Sequence, residues 1–272
     1  MQRKSKIMLE NKKEFKLISK KNPRSLLPNA LTIFGVCLGL SSIKFALDAN
    51  YAMSIIAIGF AAILDTLDGR VARLIKGTSK VGKELDSLTD VISFGVAPSF
   101  VMYFWTINEI GKIGWMIVLI YVVCCALRLA RFNLTTVEET EAWKINFFEG
   151  IPSPAAAGLI LLPLILNLSG LIELTNSAII SSIVLLLTSF LMVSKIPTYS
   201  LKRILIPRKL AIFLLLGIGI YLSLIIFYTF ETLFITGLIY ILLIPLSFFH
   251  YRYINKKYKI AIRDEEETED VL

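Results

Sequence analysis

The chain has one histidine, three cysteines and few charges, and each scarcity excludes a class of protein. His250 alone cannot build a histidine metal centre, because no second imidazole exists to share an ion with it. Cys37, Cys124 and Cys125 lie inside apolar runs without metal-ligand spacing, so they read as packing or lipid-facing residues. Charged residues make up 18% of the 272 positions and hydrophobic ones 56%, where a soluble domain would be about a quarter charged. No period-2 alternation marks a strand, and no stretch reads as a separate soluble domain. Residues 1–27 have no long apolar core, so they are not a cleaved signal peptide.

What the chain has instead is apolar sequence along nearly its whole length. About eight candidate spans follow: Leu31–Leu47, Tyr51–Leu64, Leu88–Thr106, Gly114–Ala130, Ala155–Leu168, Ser177–Val193, Ala211–Tyr228 and Leu233–Phe249. The expected fold is an all-α, polytopic membrane helical bundle. Several spans fall short of the ~20 residues that cross a bilayer. The second and third are short because polar sequence follows or precedes them, so those helices are expected to run past the hydrocarbon core. Lys and Arg fall almost entirely on one side: the N-terminal tail, Arg70 to Lys83, Arg128 to Lys144, Lys195 to Lys209, and Arg252 to Arg263. Lys112 is the one basic residue of the opposite loops, while Lys44 can snorkel from the end of the first span. The positive-inside rule therefore puts both termini in the cytoplasm of a multi-pass cell-membrane protein, and the even number of spans agrees. Residues 1–27 fit either a short interfacial helix around Phe15, Leu17 and Ile18 on anionic lipid, or a solvated basic tail. The acidic run Asp264–Asp270 is expected to be solvated and disordered.

One segment departs from this pattern. Between the second and third spans the sequence reads Asp65-x-x-Asp68-Gly69-x-x-Ala72-Arg73, then eight residues, then Gly82-x-x-x-Asp86-x-x-x-Asp90. Asp65, Asp68, Gly69, Ala72 and Arg73 share one helical stripe, and Gly82, Asp86 and Asp90 share another. Gly77, Thr78 and Ser79 supply a turn between them. Two antiparallel helices can thus point four carboxylates into one gap. Such a group repels itself unless cations neutralise it, and an all-oxygen ligand set favours Mg²⁺, Mn²⁺ or Ca²⁺. Four acids can hold two such ions about 3.5–4 Å apart, the arrangement used in phosphoryl chemistry. Gly69 and Ala72 leave room for a base or pyrophosphate against the helix, and Arg73 can fork onto phosphate. A channel or transporter also places acids in a membrane, but usually near the midplane rather than at a cation-rich interface.

The motif D-x2-D-G-x2-A-R-x8-G-x3-D-x3-D resembles the signature of the CDP-alcohol phosphatidyltransferases at every defined position. Asp86 to Pro98, Arg128 to Asn133, Gly150 to Ala157 and Leu27 to Thr32 are similar to the branch of that family that uses L-serine as acceptor. The resemblance implies a membrane enzyme that moves the phosphatidyl group of CDP-diacylglycerol to an alcohol and releases CMP. It implies a six-helix core over 28–203, preceded by the basic segment 1–27 and followed by two added spans, 204–250, and a charged tail, 251–272. It also implies Mg²⁺ or Mn²⁺, two ions, held by Asp65, Asp68, Asp86 and Asp90, with Asp90 taking the acceptor's proton. Gly69 and Arg73 are implied as CDP-diacylglycerol contacts, with Ser79, Asn29 and Thr32 around the nucleotide. Arg128, Arg131 and Asn133 are placed at serine or phosphate. Relatives tend to be homodimers. Glycerol 3-phosphate, inositol phosphate and choline stand as alternative acceptors, although an anionic one would want a denser basic pocket; nucleic acid is not expected as a partner.

Overall fold

Helices long enough to bury their own backbone polar groups are the only open-chain solution in lipid, and the apolar runs form them. The computed structural model describes residues 26–75, 80–134, 147–172, 174–199 and 210–269. In chain order the helices are α1 (Leu26–Leu47), α2 (Tyr51–Leu74), α3 (Lys80–Asp90), a π-helical turn (Val91–Val96) leading into α4 (Ala97–Trp105), α5 (Lys112–Leu134), α6 (Ser153–Ser169), α7 (Ser177–Val193), α8 (Ala211–Phe227) and α9 (Thr229–Glu269). Five helical segments have the length and composition to cross a membrane: α1, α2, α3 through α4, α5 and the first part of α9. The apolar helices α6, α7 and α8 are shorter, at 17 residues each. The second and third spans do continue past their apolar parts, to Leu74 and back to Lys80.

Two expectations are corrected. A small antiparallel ladder pairs β1 (Phe147–Glu149) with β2 (Pro197–Tyr199), where no strand was expected. Three-residue strands are too short to carry a period-2 pattern, and their partner lies some fifty positions away. The acidic run is not disordered over its described part, because α9 continues as helix through Glu269. The basic segment before Leu26, the turn residues Gly77 to Ser79 and the cations from Lys202 to Lys209 lie outside the described residues.

Packing is closest at small residues, as in other membrane bundles. Helix α1 runs against α2 and crosses α3 and the π turn. A Cβ added at Gly39 would lie 2.7 Å from Ser93 Oγ and 3.0 Å from Ser93 Cα. One at Gly95 would lie 3.2 Å from Cys125 Sγ on α5. The core behind these contacts holds Val101, Met102, Tyr121, Ile160, Leu164 and Leu185, all fully buried. Phe34, Phe60, Leu187, Phe190 and Leu215 point outward, as lipid-facing residues should. Helix α8 buries none of its residues.

The π turn has a local cause. Pro98 has no N–H to bond the Phe94 carbonyl, and its ring crowds that carbonyl in an α-helix. The helix widens instead, with the Ala97 N–H donating to the Ile92 carbonyl five residues back. The Phe94 carbonyl accepts the Tyr121 hydroxyl at 3.1 Å. This deformation starts at the residue after Asp90, so it sets how the last aspartate of the motif is presented.

Gly150 pins the ladder to the helices. Its φ is +73°, and an added Cβ would lie 2.6 Å from the Met192 carbonyl oxygen and 3.0 Å from that of Ser194. Both neighbours are backbone and cannot step aside. Gly150→Ala is expected to cost about 1–3 kcal/mol, read as a lower melting temperature of the detergent-purified protein.

Candidate metal and phosphate site

The two stripes meet as their spacing predicts. Asp65, Asp68 and Asp86 each offer a carboxylate oxygen within 4.8 Å of the others. Asp65 also contacts Asp90, so the fourth carboxylate joins the same group. Asp68 is buried, and the other three are partly so. Like charges this close and this shielded from water repel strongly, and an oxygen-coordinated divalent cation is the group that relieves such a set. A further feature fits a cation: Asp90 Oδ1 is buried with no hydrogen-bond partner. Arg128 lies within electrostatic reach of Asp90.

Helix α1 supplies the support. The Thr32 hydroxyl lies 2.5 Å from Asp68 Oδ2 and 3.0 Å from the Pro28 carbonyl oxygen. Its single proton goes to the carboxylate, the shorter and charged contact, which orients Asp68. Thr32 is buried, and Asn29 lies one turn earlier and is half-buried. Gly69 and Arg73 sit together on the exposed side of α2, where Arg73 Nε donates to the Gly69 carbonyl at 2.9 Å. A Cβ at Gly69 would meet nothing closer than Arg73 Nη2 at 4.0 Å. The packing around this position therefore does not require glycine. Ser79 lies outside the described residues.

The three residues from the end of α5 separate into different roles. Arg128 is buried, donates from Nη1 to Ser153 Oγ at 2.8 Å, and leaves Nε without a partner. Arg131 donates to the carbonyls of Val193 at 2.9 Å and Ser194 at 3.4 Å, at the C-terminal end of α7. Cations suit a helix C-terminus, so this contact braces α5 against α7. Asn133 Nδ2 donates to Ser87 Oγ at 2.8 Å, one residue from Asp86. The resemblance pointed to Arg128, Arg131 and Asn133 at serine or phosphate, but singled out neither Ser153 nor Ser87. The hint was that Ser153 lies in Gly150 to Ala157 and Ser87 in Asp86 to Pro98, stretches of the same resemblance.

Apolar helices around a carboxylate cluster at one end define a polytopic membrane protein with an acidic site suited to a divalent cation. The family model for CDP-alcohol phosphatidyltransferase matches residues 25–251. Curated relatives agree. A Mycobacterium leprae protein named CDP-diacylglycerol–serine O-phosphatidyltransferase is 36% identical over 230 residues, covering 84% of this chain and 76% of its own length. A Helicobacter pylori protein of the same name is 40% identical over 200 residues, covering 73% of this chain and 82% of its own length. A third, from Mycobacterium bovis, is 39% identical over 196 residues, covering 72% and 68%. The chain belongs to the CDP-alcohol phosphatidyltransferase family, as its motif indicated.

Proposed function

We propose that this chain transfers the phosphatidyl group of CDP-diacylglycerol to the hydroxyl of L-serine, giving phosphatidylserine and CMP. The observation that carries this reading is the convergence of Asp65, Asp68, Asp86 and Asp90 at one end of the bundle, with buried Arg128 beside Asp90. The relatives' names support serine as acceptor.

In this reading the four aspartates would hold Mg²⁺ or Mn²⁺, two ions, which would supply positive charge against the pyrophosphate and the departing CMP. Thr32 fixes the orientation of Asp68, and Asn29 lines the nucleotide side. The bare helix face at Gly69 admits the pyrophosphate, and Arg73 and Ser79 donate to it. Asp90 accepts the proton of the serine hydroxyl through its unpartnered oxygen. The serine oxygen bonds the phosphorus that carries diacylglycerol, and the bond from that phosphorus to the pyrophosphate bridge breaks, releasing CMP. Arg128 binds the serine carboxylate from Nε, while Ser153 holds its other end. Asn133 and Arg131 brace α3 and α7 around this pocket. The distribution of Lys and Arg supports a site that faces the cytoplasm in the cell membrane. The helices up to residue 203 form the catalytic core in this reading, and a homodimer is the assembly the resemblance supports.

The test is CMP release by purified full-length protein given CDP-diacylglycerol, Mg²⁺ or Mn²⁺, and one alcohol at a time. Serine is expected to support turnover well above glycerol 3-phosphate, inositol phosphate or choline. Preference for another of these alcohols would overturn serine, and no CMP with any of them would overturn the enzyme. Chelation is expected to abolish turnover and either ion to restore it. Thr32→Val keeps the shape and removes the hydroxyl, and is expected to raise the metal concentration for half-maximal activity about tenfold or more.

A further inference from the structure

Helix α9 follows the proposed catalytic core, yet one of its side chains comes within electrostatic reach of Arg128. The approach begins at Gly237, where an added Cβ would lie 2.3 Å from Leu162 Cδ2 on α6. Contact that close draws α9 against the bundle, and Tyr240 follows on the same face. Its ring is partly buried against the core, and its hydroxyl is fully buried without a hydrogen bond. The hydroxyl lies near Thr198, whose own O–H donates to the Gly150 carbonyl at 2.7 Å. Tyr240 is also within electrostatic reach of Arg128.

Three buried polar atoms without partners thus belong to Arg128 and to two residues within its electrostatic reach, each from a different helix: Asp90 Oδ1 from α3, Arg128 Nε from α5 and the Tyr240 hydroxyl from α9. A buried donor or acceptor left unpaired is costly, so three of them on neighbouring side chains point to a ligand rather than to packing. Two are donors and one is an acceptor. That set complements a small molecule with an anionic group at one end and a hydroxyl or ammonium at the other.

We propose that Tyr240 forms one wall of the acceptor pocket and donates its O–H, beside the Arg128 Nε–H, to the carboxylate of the bound acceptor. This rests on the reading of Arg128 as the acceptor-binding residue. It makes the last helix part of the substrate site, as a positioning element rather than a reacting group. Without the hydroxyl the ring still packs, so Tyr240→Phe isolates the hydrogen bond.

The experiment measures CMP release by full-length wild type and Tyr240→Phe in mixed micelles with CDP-diacylglycerol and Mg²⁺, titrating each substrate at saturating levels of the other. The expected result is a KM for serine raised about tenfold, the scale of one hydrogen bond to a charged group. The KM for CDP-diacylglycerol should stay within about twofold, with an unchanged melting temperature. In an Arg128→Lys background the same substitution should have a smaller effect, because the two donors act on one carboxylate. An unchanged serine KM overturns the proposal. So does a rise confined to CDP-diacylglycerol, or a parallel rise in both with a lower melting temperature, since those mark a phosphate contact and a packing role. Wild type that releases no CMP with serine overturns the reading of the whole pocket, and Tyr240's assignment with it.

Discussion

Asp90→Asn should lower the rate of CMP release from CDP-diacylglycerol and serine by about 10²–10⁴-fold, the usual contribution of a positioned general base. The substitution keeps the shape of the side chain and removes its charge. Asp90 lies within electrostatic reach of Arg128, and its Oδ1 is a buried, unpartnered acceptor. Asn can fill that position but cannot accept the serine proton. Folding should survive, because the π turn that follows is held by Pro98 and by the Tyr121 hydroxyl, neither of which needs the carboxylate. Single-turnover CMP release together with the melting temperature checks this. Near-normal turnover in a folded variant would remove Asp90 from the proton-accepting role.

Arg128→Ala is the second large effect. It should reduce kcat/KM for serine by about 10²–10³-fold, the scale of truncating one partner of a buried charged pair. Arg128 lies between Asp90 and Ser153 and has nine-tenths of its surface buried. Alanine would remove the donor to the acceptor carboxylate and leave Asp90 buried beside an empty volume. Lysine at the same position keeps the charge but not the fork, so Arg128→Lys should fall between the two. Steady-state kinetics with serine varied at fixed CDP-diacylglycerol decides this, and a serine KM unchanged in both variants would assign Arg128 to structure. Arg131→Ala is expected to act differently, through a lower melting temperature, because its guanidinium holds the carbonyl end of α7.

The helical spans and the facing carboxylates were legible in the sequence because both depend on short-range periodicity. Hydrophobic length alone marks a membrane helix, and i, i+3, i+4 spacing alone puts Asp65, Asp68 and Gly69 on one stripe. What the sequence did not show depends on contacts between distant residues. Thr32 was placed on the nucleotide side by resemblance, but its bond to Asp68 joins positions 36 apart. The β1–β2 ladder joins residues some fifty positions apart through three pairs. Tyr240 looks like any aromatic in an apolar run until Gly237 draws α9 against Leu162. The π turn had one visible signal, Pro98 eight residues after Asp90, but its acceptance of the Tyr121 hydroxyl was not readable.

That turn has a further effect on the geometry of the whole third span. An α-helix advances about 100° per residue, and a turn closed five residues back rather than four absorbs one extra residue. Beyond Val96 the helix is therefore out of phase with Lys80–Asp90 by about that angle. The face of α3 that carries Asp86 and Asp90 and the face of α4 that packs Val101 and Met102 are set independently of each other. Deleting one residue within 91–96 would bring the two halves into a single phase. Either the carboxylates would then turn away from Asp65 and Asp68, or the buried face of α4 would turn toward lipid. The extra residue is a clutch between two azimuths, letting one rod answer both to a polar cleft and to an apolar core.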